Sequence, residues 1–152
     1  MAKVAILMGS KSDKEVMRRC AKCLEHFGIS YDMKVLSAHR QPEETAKFAK
    51  KAAENGYEII IAAAGMAGHL PGVIAAQTTL PVIGVPLSAS ELKGLDSLFS
   101  IVQMPAGIPV ATVAIGSAGA ENAGVLAAQI LALEDEKIKR KLSDFKKRGA
   151  KI

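Results

Sequence analysis

The sequence predicts an α/β domain: a doubly wound, five-stranded parallel sheet with helices on both faces and an added C-terminal helix. Three observations carry this expectation. Short apolar, β-prone runs alternate five times with segments suited to helix or loop. The chain is 49% hydrophobic but only 4% aromatic, a composition of Ala, Val, Ile and Leu that suits small-residue helices packed on a parallel sheet. At 152 residues, with no linker, low-complexity tract or sequence repeat, one compact domain is expected, burying roughly two-thirds of its unfolded surface.

Residues 3–8 are an apolar run broken by Gly9 and read as a buried strand. Ser12 and Glu15 have capping-box spacing, and Val16, Cys20, Cys23, Leu24 and Phe27 then recur at helical period until Gly28. Residues 31–36 read as a second buried strand and 37–41 as a loop. Pro42, Glu43 and Glu44 start a helix with acids where its dipole favours them, and the helix is expected to end near Asn55 and Gly56. Residues 58–64 give the third strand, 65–68 a glycine-containing loop, and a short helix follows Pro71. Residues 81–85, bounded by prolines, form the fourth strand, 95–102 a helix and 110–115 the fifth strand, before an Ala-rich helix starting near Gly119. Parallel strands so connected require right-handed crossovers.

Beyond this body of residues 1–133, Ile138, Leu142 and Phe145 share one helical stripe, with Lys and Arg on the other faces. The segment 134–152 is therefore expected to be a basic amphipathic helix, packed either on its own domain or on a neighbouring subunit.

The net charge of +5 raises the question of nucleic-acid binding. Residues 134–152 hold eight Lys or Arg against four Asp or Glu, and the remainder twelve against eleven, so the body is electrically balanced. Two Tyr, four Phe and no Trp offer no platform for stacking bases, which argues against a polynucleotide partner. No apolar run approaches the roughly 18 to 20 residues of a membrane helix. Met1-Ala2-Lys3 leads into a strand-like stretch and not a signal-peptide core, so a cytoplasmic protein without a membrane partner is expected. Cys20 and Cys23 lie at helical spacing with no second pair elsewhere, and read as reduced core residues.

Ligands of a doubly wound sheet bind at the carboxyl ends of the strands, which places the chemistry in the first three loops. Gly9-Ser10-Lys11-Ser12-Asp13 offers close backbone approach and a helix N-terminus suited to phosphate, although an ordinary capped turn has the same composition. Neither GxxxxGK[ST] nor GxGxxG is present. Asp13 is placed to accept hydrogen bonds from ribose hydroxyls. In the second loop His39 adjoins Arg40, pairing the side chain that titrates nearest neutrality with an always-charged fork for phosphate or carboxylate. Together they suit an anionic substrate that needs a proton moved.

The third loop, Gly65-Met66-Ala67-Gly68-His69-Leu70-Pro71-Gly72, has small residues that leave room for a planar ligand or a small gas molecule. His69 reads as a binding or structural residue ahead of a second proton carrier. His26, near the end of the first helix, reads as a residue that satisfies that terminus. No Cys/His cluster has metal-ligand spacing and no GxSxG elbow occurs, so non-covalent chemistry without metal or cofactor is expected.

These loops resemble those of the class I N5-carboxyaminoimidazole ribonucleotide mutases, bacterial-type relatives of aminoimidazole ribonucleotide carboxylase. The resemblance rests on Met8-Gly9-Ser10-Lys11-Ser12-Asp13, on Ser37-Ala38-His39-Arg40 with Pro42, and on His69-Leu70-Pro71-Gly72. It continues through residues 80–86, 96–105 and 109–116, and so covers nearly the whole chain. It implies a three-layer α/β/α domain of flavodoxin-like topology, assembled as a homo-octamer with active sites at subunit junctions. It also implies that Ser10 and Asp13 hold the phosphoribosyl part, that Ser37 and Arg40 contact the phosphate side, and that His39 is the essential proton carrier. Ser12 and the backbone from Gly65 through Gly68 and His69 to Leu70 close the site in that reading.

The activity so implied is a step of purine biosynthesis that moves a carboxyl group from the exocyclic nitrogen of an aminoimidazole ribonucleotide to ring carbon C4. The chain departs from the family's usual third loop, Ala-Gly-Ala-Gly-Gly-Ala-Ala before the His, at Ala63, Met66 and Gly68. Met66 either points into the site and narrows it or points into the core. Gln41 stands where the family usually has Thr, at an expected helix N-cap. Two other readings remain: direct carboxylation of the aminoimidazole ribonucleotide by carbon dioxide, and a non-catalytic nucleotide- or flavin-binding module. The lack of loop aromatics to sandwich a flavin counts against the latter.

Overall fold

The computed structural model describes residues 3–152; Met1 and Ala2, and with them the reading of the chain's first residues, lie outside it. The strands are β1 (Val4–Met8), β2 (Tyr31–Val35), β3 (Ile59–Gly65), β4 (Val82–Leu87) and β5 (Ala111–Thr112), all parallel, in the order β2-β1-β3-β4-β5. The helices are α1 (Lys14–Phe27), α2 (Pro42–Lys51), α3 (His69–Ala75), α4 (Leu95–Val102), α5 (Ser117–Leu131) and α6 (Glu136–Lys147). The chain moves outward from β1 to β2, then crosses back to β3 on the other side. The strand order therefore reverses between β1 and β3, where a crevice opens at the strands' carboxyl ends. None of the described helices is long and apolar enough to cross a membrane.

Two apolar cores lie on the two faces of the sheet, as the alternation of side chains along each strand requires. Ile6, Met8, Ile61 and Ile83 face α1 and α5, whereas Leu7, Ile60, Ala62 and Val82 face the side of α2 and α3. Cys20 and Cys23 are free and fully buried in the first core, as expected. Burial pushes both thiols up, that of Cys23 to about 12 with help from the Glu121 charge, so neither is a nucleophile at neutral pH.

Several boundaries differ from the sequence reading. β2 is an edge strand, half-exposed along its length, and not a buried one. α2 stops at Lys51, and the stretch to Gly56 is a series of turns in which Ala52, Asn55 and Gly56 N–H bond to carbonyls three or four residues back. α3 opens at His69, before Pro71; a proline in a first turn removes no helical hydrogen bond, because those N–H groups have no partner. β4 runs on through Pro86, whose carbonyl accepts from Gly116 N–H at 2.8 Å. β5 keeps only two ladder residues, although Val113 N–H still reaches Gly84 O at 3.2 Å.

Ser12 and Glu15 form no capping box. Instead Ser10 caps a single 3-10 turn (Lys11–Asp13) through Ser12 N–H, and Asp13 occupies the N-cap of α1 without a side-chain cap bond. At the far end of α1 the left-handed Gly28 closes the helix, with Gly28 N–H on Glu25 O and Ile29 N–H on Leu24 O. His26 is not needed there. Its ring packs on Phe27 and Phe145 instead, at centroid separations of 5.1 and 5.9 Å.

That contact docks α6. Asp135 caps the helix through Lys137 and Ile138 N–H, and Ile138 and Phe145 are buried in the first core, Phe145 edge-on to Phe27. Burying a phenylalanine so fully contributes about 1.5–3 kcal/mol. The apolar stripe that suited either the chain's own domain or a neighbour is thus occupied by its own α1 and α5.

Candidate active site

The crevice is built from the loops that leave β1, β2 and β3, and the local hydrogen bonds of each explain its shape. In the first loop Ser10 Oγ and Ser12 Oγ lie 2.9 Å apart, and Asp13 N–H donates to Ser10 O at 3.2 Å. The two hydroxyls thus sit side by side before the N-terminus of α1, where free N–H groups favour an anion. Burial holds the Asp13 carboxyl above its usual range, partly offset by a backbone hydrogen bond from the Ser10 side of the turn. Such a carboxyl is poor company for a phosphate but a good acceptor for a hydroxyl.

The second loop is cross-braced. Gln41 N–H donates to Ser37 O at 2.8 Å, Arg40 N–H to Ser37 Oγ at 3.1 Å, and Ser37 N–H to Gln41 Oε1 at 3.3 Å. The fully buried Thr45 adds its hydroxyl, which donates to Gln41 O at 2.7 Å with Ser37 O 3.3 Å away. Gln41 does occupy the N-cap of α2, but its side chain braces the loop and makes no cap bond. None of these braces uses the side chains of His39 or Arg40, which are left exposed to a ligand.

In the third loop Gly68 N–H donates to Gly65 O at 3.1 Å, making a tight turn. Both glycines are required by space. A Cβ on Gly65 would stand 2.6 Å from Ala89 Cβ, and Gly68, at φ 56, would meet Ser97 O and Ser100 Cβ at 3.2 Å. The turn delivers His69 to the first position of α3, with His69 Nδ1 against His39 Nε2 and the rings at 88°, centroids 4.6 Å apart. In this contact one ring nitrogen donates and the other accepts.

A cleft of about 520 Å³ joins the three loops. Every residue expected at the site lines it: Ser10, Ser12, Asp13, Ser37, His39, Arg40, Gly65, Gly68, His69 and Leu70. What the sequence reading did not anticipate is Ala89, from the loop after β4, which borders the cleft behind Gly65. The rule that points to strand ends applies equally to β4, whose loop carries no histidine or arginine.

The three departures in the third loop separate cleanly. Ala63 is wholly buried in the sheet, so that change concerns packing alone. Gly68 caps α3 in a left-handed conformation. Met66 is outside both cores, 59% exposed, and lines the cleft.

Comparison with known proteins agrees with this geometry. The family described as AIR carboxylase matches residues 3–151. The N5-carboxyaminoimidazole ribonucleotide mutase of Thermotoga maritima is 56% identical over 148 residues, covering 97% of this chain and 85% of that protein. The enzyme of the same name from Escherichia coli K12 is 55% identical over 146 residues, 96% of this chain and 86% of its own length. The crystal structure of Treponema denticola PurE superposes with a TM-score of 0.86 at 30% identity, covering 97% of this chain and 90% of that one. With its sheet order, its three-loop cleft and near-complete likeness to these proteins, the chain belongs to the AIR carboxylase family.

Proposed function

We propose that this protein is an N5-carboxyaminoimidazole ribonucleotide mutase of purine biosynthesis, with His39 as its proton carrier. The observation that carries the reading is the exposed His39–His69 pair set among hydroxyls, a carboxyl and an arginine in one cleft. The phosphoribosyl group lies along Ser10, Ser12 and Asp13, with the carboxyl taking ribose hydroxyls, while Ser37 and Arg40 take the phosphate side. His39 donates a proton to the exocyclic nitrogen as the nitrogen–carboxyl bond breaks and carbon dioxide leaves. The electron-rich C4 then attacks the trapped carbon dioxide, and His39 recovers its proton from C4, so the reaction is a net isomerisation. His69 holds the His39 ring through their hydrogen bond, and the small residues Gly65 and Ala89 leave the space in which carbon dioxide waits. Holding both fragments together replaces a bimolecular encounter with an intramolecular one.

The mutase name is supported by relatives above 50% identity, while the family's own description favours the second reading, direct carboxylation of the uncarboxylated ribonucleotide. Supplying each substrate separately, without an ATP-dependent partner enzyme, distinguishes them. The mutase reading expects turnover of the carbamate and little product from the uncarboxylated nucleotide with bicarbonate; the reverse preference would replace it. Neither route asks for a resident metal or cofactor, and a biosynthetic enzyme of this kind works in the cytoplasm.

Self-association, an octamer by resemblance, belongs to the same proposal. It is supported by the face of α4 on which Leu95, Phe99 and Val102 lie exposed at helical spacing beside Leu92. Light scattering is expected to give a multiple of the 16.0 kDa chain; a monomer mass removes this part of the proposal and leaves the chemistry standing.

A further inference from the structure

Met66 has a backbone conformation that its residue type disfavours, with φ 52 in the left-handed region. A non-glycine residue there is disfavoured and persists only where its surroundings impose it. Its surroundings do impose it. A Cβ on Gly65 would strike Ala89 and one on Gly68 would crowd Ser97, Ser100 and Ile101, and the Gly68 N–H to Gly65 O bond ties the two ends, so Met66 and Ala67 between them carry the turn.

The result is a long apolar side chain held at the rim of a cleft whose two histidines are both exposed. Apart from the histidines, Asp13 and Arg40, the other residues lining the cleft are glycine, alanine, serine or buried Leu70, so Met66 is its one long, exposed apolar side chain. Methionine has no branch and several rotatable bonds, so it can lie over ligands of irregular outline.

We propose that Met66 is the apolar cover that keeps carbon dioxide beside its acceptor, and that it sets the fraction recaptured and not the rate of proton transfer. The inference rests on the mutase reading, since a direct carboxylase has no internally released gas to retain. Free carbon dioxide is neutral and apolar, and no charged group in the cleft can hold it by ion pairing. Only steric enclosure keeps it from the bulk, and an apolar wall achieves this without bringing water to the reacting carbon.

The test uses carbamate substrate labelled with carbon-13 at the carboxyl group, in unlabelled bicarbonate, and measures label retained in the C4 carboxylate product. Met66→Gly, which accepts φ 52 without strain, is expected to fold and to leak label on the order of threefold to tenfold more than the parent. Met66→Gln, of similar length but polar, is expected to leak as well, whereas Met66→Leu keeps the label. Equal retention in the parent and all three variants overturns the role of Met66 while leaving the mutase standing. Leakage that follows side-chain length but not polarity, with Gln equal to Leu, overturns the claim that the cover must be apolar. Absence of labelled product from the parent protein overturns both the cover and the mutase reading.

Discussion

Replacing His39 with Asn is expected to leave a folded protein that binds the nucleotide and scarcely turns it over. General acid–base groups contribute about 10²–10⁴-fold, so kcat should fall by that factor, equivalent to about 3–5 kcal/mol of barrier. Folding is spared because the braces of the second loop run through Ser37, Arg40 N–H, Gln41 and Thr45, none through the imidazole. Binding is spared because the charge and hydroxyls proposed to hold the nucleotide are those of Arg40, Ser37 and the first loop, which line the same cleft. Asn keeps a planar hydrogen-bonding group beside His69 but cannot exchange a proton near neutral pH. Steady-state turnover and nucleotide binding by calorimetry together decide it: turnover at the parental rate refutes the assignment, and loss of binding with loss of turnover recasts His39 as a binding residue.

Gly119→Ala is expected to be the most damaging conservative change in the scaffold. An ideal Cβ at this position, in the first turn of α5, falls 1.6 Å from Ala114 O and 2.6 Å from Ala114 C. That is overlap with backbone, which no rotamer change relieves. Alanine's better helix propensity recovers about 1 kcal/mol, while overpacking costs typically 1–3 kcal/mol and more where backbone must move. The net effect is a loss of at least about 2 kcal/mol, read as a lower urea midpoint. A variant as stable as the parent would mean that α5 can slide away from the end of β5. The sheet would feel such a slide, because Gly116 N–H, just ahead of the helix, is bonded to Pro86 O.

The alternation of short apolar runs with longer segments was enough to place all five strands in the sequence, because burial on both faces leaves no polar residue within β1 or β3. Burial of β2 was misjudged for a reason local to it. Tyr31 and Met33 turn toward the first core while Asp32, Lys34 and Val35 lie in solvent, and so short an alternation does not say which strand is at the edge. The end of α2 differs from the sequence reading because nothing between Lys51 and Asn55 marks a stop, and turns there satisfy the backbone much as a helix does.

The site was legible because its groups carry charge or titrate, and because loops at strand ends converge whatever their sequence. Its apolar rim was not. Ala89 has no chemistry to betray it, and whether Met66 faced cleft or core depended on a backbone angle that composition does not encode. The contact of His39 with His69 joins residues thirty positions apart, a pairing that depends on the strand order, which sets β2 and β3 on either side of β1.

The half-exposed edge strand has a consequence for how the protein breathes. His39 and His69 each follow their strand across a loop of three residues, but β2 is the half-exposed edge strand, whereas β3 is buried along nearly its whole length at the centre of the sheet. Free energies of local opening scale with the buried contacts that must be broken. The two imidazoles therefore belong to parts of unequal firmness: the proposed proton carrier can detach through a partial opening at the sheet edge, while its partner is tied to the better-buried centre of the sheet.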